Sequence, residues 1–145
     1  HHTFAVENTV GLSDLLIRQH TIEEVLQKTT IEGLDVITSG PIPPNPTELL
    51  ASETMDQLID VLNDKYDLVI FDAPSVLSVT DAQILSNKCE GVILVVNTGK
   101  TEKGNVVKAK NILLASKANM LGVIMNNFTL GKDHHYYKYY GNGEN

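Results

Sequence analysis

The residues of this chain that can do chemistry gather at the ends of apolar runs. Asp72 follows Leu68-Val69-Ile70-Phe71, the pattern of a carboxylate that orients the water shell of a magnesium ion, because a hard cation takes oxygen ligands from a rigid element. The plain alternative is an aspartate that ends a strand as a turn-former. Asp81, in Ser78-Val79-Thr80-Asp81-Ala82, reads either as a favourable first-turn helix charge or as a contact to nucleotide or to a switch loop. Asn97 and Thr98 follow a second apolar run, and Asn126 and Asn127 a third. Asn126 can present an amide to a purine edge, or it can be an ordinary turn asparagine. Four of the five tyrosines fall within five residues, in Asp133-His134-His135-Tyr136-Tyr137-Lys138-Tyr139-Tyr140-Gly141. That segment has no core periodicity, so Tyr136, Tyr137, Tyr139 and Tyr140 read as accessible hydroxyls open to phosphorylation, which adds about -1.5 to -2 charge at each site. An aromatic contact patch is the alternative, and a His/Asp/Tyr metal site lacks a fixed geometry.

One absence limits this chemistry more than any motif supports it. A triphosphate needs backbone amides and a lysine around its β and γ groups, and no GxxxxGK[ST] loop occurs. Gly99-Lys100-Thr101 shows its last three letters without the earlier glycine. Cys89 is the single cysteine, with no ligand spacing around it, and reads as an inert thiol in a reducing compartment.

The elements that must position these groups follow from periodicity. Apolar spacing predicts a short helix within Val10–Gln19 and another from Thr21, with Glu24 returning a bond to the cap, through Gln27. A strand is expected over Leu34–Thr38, then an extended loop with four prolines between 41 and 46. Asn45-Pro46-Thr47-Glu48 is a helix start. The helix is predicted to reach Leu62. Leu68–Phe71 reads as a strand covered on both faces, followed by a helix at Asp81–Ser86, a strand at Gly91–Val96, a helix at Glu102–Ala118 and a strand at Met120–Met125. This alternation predicts parallel strands with right-handed crossovers, and ligands then sit beyond the carboxyl ends of the strands. Residues 1–130 form the expected domain, and 131–145 a polar tail expected to be mobile.

Eighteen acidic residues against 11 basic ones give a net charge of -7, which argues against nucleic acid as a partner. The hydrophobic share of 42% suffices for a core. No apolar run approaches the ~20 residues of a membrane span. The opening His1-His2-Thr3-Phe4, without an initiator Met or signal-peptide order, reads as a cut in a longer sequence.

Taken together, these segments resemble the catalytic domain of bacterial tyrosine kinases of the capsule and exopolysaccharide type. These are autokinases related to the deviant P-loop ATPases that include the Min and Par proteins. The resemblance is carried by Gly11-Leu12-Ser13-Asp14-Leu15-Leu16, Gly40 through Leu50, Tyr66 through Pro74, Thr80-Asp81-Ala82, Gly122 through Asn126, and the tyrosine cluster. It implies an α/β, mostly parallel sheet with flanking helices and a P-loop NTPase-like fold, truncated at its N-terminus so that the Walker A loop and the acidic Walker A′ strand lie upstream of His1. It implies Asp72 as the catalytic, magnesium-organising Walker B carboxylate, Asn126 beside the base of ATP, the tail tyrosines as phosphoacceptors offered to the next subunit, and Glu48 at a subunit interface. It further implies ATP and magnesium as cofactors, a ring oligomer, tyrosine-containing protein substrates, and a membrane-spanning activator that recruits a cytoplasmic protein to the inner face of the membrane. Ala73-Pro74-Ser75 departs from the paired prolines usual in the family. Isolated, the 145 residues are expected to show no kinase turnover. A regulatory ATPase of the Min/Par kind and a non-catalytic oligomerisation fragment are the alternatives.

Overall fold

The last two apolar runs pair as their spacing predicts. In the computed structural model, which describes residues 2–128, β3 (Val92–Asn97), α6 (Lys103–Ala115) and β4 (Met120–Asn126) form a parallel strand–helix–strand unit. The ladder runs from Val92 opposite Met120 to Asn97 opposite Asn126, with one irregularity after Val92. Ala109 and Leu113, four apart on one face of α6, are buried against Val92, Leu94 and Met120, with Val76 and Ala118 completing the cluster. The helix ends at Ala115, earlier than the expected Ala118. Lys117 takes a left-handed φ of 60°, and the amides of Lys117 and Ala118 donate to the carbonyls of Leu114 and Leu113. This double closure with an apolar Leu113–Ala118 contact stops a helix sharply.

After a 3-10 turn at His2–Phe4, seven other helices and strands precede this unit. They are α1 (Leu12–Leu16), α2 (Ile22–Val25), β1 (Leu26–Lys28), β2 (Asp35–Ile37), α3 (Pro46–Leu50) and α4 (Glu53–Lys65), with α5 (Asp81–Ser86) between α4 and β3. The first two helices are shorter than their apolar spacing suggests. Leu26 and Gln27, expected to continue α2, instead pair with β2 together with Lys28 in an antiparallel ladder, Leu26 opposite Ile37. The expected helix from Pro46 to Leu62 is two helices. Ser52 interrupts it because its hydroxyl donates to Leu49 O (2.7 Å) while accepting from Met55 N (3.3 Å), which caps α4 and carries that helix to Lys65. Asn45 forms no capping bond, since its amide donates to Glu48 Oε2 at 2.8 Å instead.

The segment Leu68–Phe71 departs most from expectation. It pairs with no strand among the described residues. Val69 and Phe71 pack on the larger core of Leu15, Leu16, Val25, Met55, Leu58, Leu62 and Leu85, whereas Leu68 is 73% and Ile70 78% exposed. The alternation of an extended chain is kept, but one face meets solvent. Likewise α6 shields only one face of β3, so Ile93, Val95 and most of β4 are exposed. Of the strands that read as buried on both sides, β3 is therefore half covered, and β4 is exposed along both faces after Met120.

Two ties join the N-terminal elements. The amides of Leu12 and Ser13 donate to Thr38 O (2.8 Å) and Ser39 O (3.0 Å), an approach that only glycine at position 11 permits, because a Cβ there would stand 2.3 Å from Gly40 N and Thr38 O. The Tyr66 hydroxyl, just past α4, donates to Asp35 Oδ2 on β2 at 2.7 Å. Asp35 is held below the usual carboxylate range by Lys28 and then by Tyr66, and the same bond pushes the Tyr66 phenol up from 10 to about 12. A depressed carboxylate stabilises the fold above its unfolded pKa and stops doing so as pH falls through its folded one. A raised phenol stabilises it below pH 10, and that contribution fades between about 10 and 12. Tyrosinate absorbance, with Tyr66→Phe as the blank, is expected to place the Tyr66 step near 12, and Asp35→Asn to bring it back toward about 10.

Candidate functional site

The carboxyl ends of β3 and β4 bring four polar side chains to one edge. Parallel pairing in register sets Asn97 beside Asn126, and the Thr98 amide donates to Asn126 O at 2.9 Å. Asn127 takes a left-handed φ of 56°, tolerated by asparagine, and this turns its amide nitrogen onto Asn97 Oδ1 at 3.1 Å. Asn126 Oδ1 accepts the Asn127 backbone N–H at 2.9 Å. The carbonyl of Asn126 thus does the work of a turn, and its amide NH2 is the group left to meet a ligand. Thr98 Oγ1 is buried and makes no hydrogen bond. A buried hydroxyl without a partner costs stability, and such groups are concentrated where a ligand or water completes them. Asn97 and Thr98 matter more here than their sequence reading suggests. What marks them is the equal end point of two strands that pair, which becomes visible once the register is known.

The other expected residues stand on different elements. Asp72 is exposed and follows the unpaired segment 68–71, so no ladder fixes it to the β3–β4 edge. Its support is the packing of Phe71 and Val69 on the α4 core. Asp81 is the first residue of α5, and Thr80, the residue before it, lies with its hydroxyl 3.5 Å from that of Thr47. That contact sets the N-termini of α3 and α5 side by side, with exposed Glu48 on α3. Tyr136, Tyr137, Tyr139 and Tyr140 lie outside the described residues.

Among the described residues no three His, Cys, Asp or Glu side chains stand together as a metal cage. Asp72 fits a single carboxylate on a hydrated magnesium ion, and the edge amides with the orphaned Thr98 hydroxyl fit a polar heterocycle. The phosphate-binding part of a nucleotide site has no counterpart among them. An open depression of about 450 Å³ lies elsewhere, between α4 and α5, lined by Ala51, Asp56, Ile59, Asp60, Ile84, Asn87 and Lys88, and holds none of these residues. Cys89 is half-buried, and burial pushes its thiol up, away from nucleophilic use.

No family model matches the chain. It is 48% identical over 145 residues to "Tyrosine-protein kinase YwqD" of Bacillus subtilis (strain 168), a match that takes in 100% of this chain and 61% of that protein. The solved kinase domain of Escherichia coli tyrosine kinase ETK superposes with a TM-score of 0.86 at 36% identity, covering 94% of this chain and 53% of that one. The crystal structure of the chimerical protein CapA2B2 gives a TM-score of 0.86 at 43% identity, over 90% and 57%. The chain therefore spans between half and two thirds of the length of each.

Proposed function

We propose, from the premise that this chain belongs to the bacterial tyrosine kinases and forms part of their kinase domain, that the whole protein transfers the γ-phosphoryl group of ATP to tyrosine hydroxyls, its own Tyr136, Tyr137, Tyr139 and Tyr140 among them. The observation that carries this reading is the match to YwqD along the entire chain, through both the Asp72 segment and the tyrosine cluster. Magnesium-ATP, when bound, supplies the phosphoryl group and neutralises charge on it. Asp72 orients the metal's water shell, and the Asn97–Asn126–Asn127 edge orients the base. Asp81, at the start of α5, adds negative charge beside the α3 terminus, where a neighbouring loop can respond to nucleotide. Phosphate cradling and proton acceptance from the tyrosine are assigned to residues outside this stretch. Catalysis of this kind is mostly positioning and charge neutralisation, so the protein's task is to hold three groups in line.

Self-association in a ring, with Glu48 near a subunit contact, brings one copy's tail to another's site. A solved neighbour that is a chimerical protein supports an activating partner, for which we assign a membrane-spanning protein that holds the kinase at the inner face of the membrane, in control of capsule or exopolysaccharide synthesis. Mass spectrometry of the protein taken from its own cell is expected to find phosphate on residues 136–140. A tail without phosphotyrosine in growing cells would leave a regulatory ATPase as the better reading.

A further inference from the structure

The net charge of -7 hides two helices of opposite sign. Between residues 98 and 127 there are five lysines and one glutamate, whereas residues 46–67 hold six carboxylates and one lysine. The helices at the centre of these stretches, α4 and α6, are each 13 residues long. Their charges fall at matching positions: Glu53 and Asp60 on α4, and Lys103 and Lys110 on α6, with Asp67 and Lys117 following just past the helix ends, outside the helical backbone. A seven-residue step is about 10.5 Å along a helix and returns to nearly the same face. All six residues are exposed, and none of them forms an ion pair among the described residues. Asp56, which does have a partner in Lys88, lies off this row.

Between the lysines lie Val107 (49% exposed) and Leu114 (48%), and beside the acidic row lies Val61 (48%). Each row thus carries its own aliphatic contact. A solvated helix face has no need of this alternation of charge and aliphatic side chain, whereas a helix that lies along another uses both.

We propose that the α6 face of one copy docks in parallel on the α4 face of a second copy, Lys103 to Glu53 and Lys110 to Asp60. The two faces differ, so the contact is heterologous: each copy offers α4 to one neighbour and α6 to the other, and the array closes into a ring or continues as a filament. The proposal rests on the self-association put forward above and names the surface for it. It does not depend on phosphoryl transfer.

The test is sedimentation velocity of the full chain at low and high salt, with charge reversals. Exposed pairs are screened within about 10 Å at 0.1 M and 3 Å at 1 M salt, so association is expected at low ionic strength and lost near 1 M. Lys110→Glu alone and Asp60→Lys alone are each expected to weaken it by about tenfold or more, since they set like charges opposite one another. Both together restore it, because the reversed pair meets across the contact. Circular dichroism checks that the variants fold, and all reversed positions are on exposed faces. Association that ignores both single reversals keeps self-association and overturns this surface. A monomer at every salt concentration overturns both. Binding of the wild-type chain, and not of Lys110→Glu, to vesicles rich in phosphatidylserine without self-association would make α6 a lipid face and also overturn the proposal.

Discussion

Asp72→Ala in the whole protein is expected to lower tyrosine autophosphorylation by about 10²–10³-fold, the loss typical when a group that stabilises charge in the transition state is removed. The reason is local. Magnesium neutralises the phosphates only if its water shell is held, and the function proposed above assigns that task to Asp72. Because Asp72 is exposed, its truncation leaves no buried group unsatisfied, and the thermal midpoint is expected to stay within the small range of surface substitutions. Intact mass gives the readout, since each phosphoryl group adds a fixed increment. A normal phosphate count in the variant would remove Asp72 from the site.

The second large effect is on the platform beneath it. Met55 is fully buried at the centre of the cluster of Leu15, Leu16, Val25, Leu58, Leu62 and Leu85, on which Val69 and Phe71 rest. Met55→Ala removes dispersion contacts and leaves a cavity, at a cost of about 2–5 kcal/mol. That is a large share of a typical domain stability of about 5–15 kcal/mol. In urea the midpoint is expected to fall sharply, while Val61→Ala on the exposed side of the same helix moves it little. Equal shifts for the two variants would mean that α4 does not bury the face described. The same substitution is expected to lower activity beyond its effect on folded population, because Phe71 precedes Asp72 and loses its support.

How legible these features are depends on what decides each. The β3–α6–β4 unit follows from local pattern, since two apolar runs flank a helix whose Ala109 and Leu113 mark one side, and the crossover then dictates parallel pairing. Helix breaks are less legible. Ser52 ends one helix and begins another through two hydrogen bonds of one hydroxyl, and apolar spacing from Leu49 to Leu62 runs through it unchanged. Leu26–Lys28 joins β2 because a neighbour is within reach, a tertiary fact that propensity does not contain. Leu68–Phe71 is an apolar run like those of β3 and β4, but pairing requires a second strand, and none of the described residues supplies one. At the site, the types of Asn97, Asn126 and Asn127 are readable, whereas their hydrogen-bonded arrangement depends on register and on one left-handed residue.

The apolar face that β3 and β4 leave uncovered ties the stability of this stretch to whatever binds there. Any polypeptide that lays itself over Ile93, Val95 and Ile124, which share the face of the β3–β4 ladder away from Leu94, favours the native form by an amount that grows with the logarithm of its concentration over its dissociation constant. The melting temperature of this stretch is therefore expected to rise with whatever covers that face, the rest of a longer chain included.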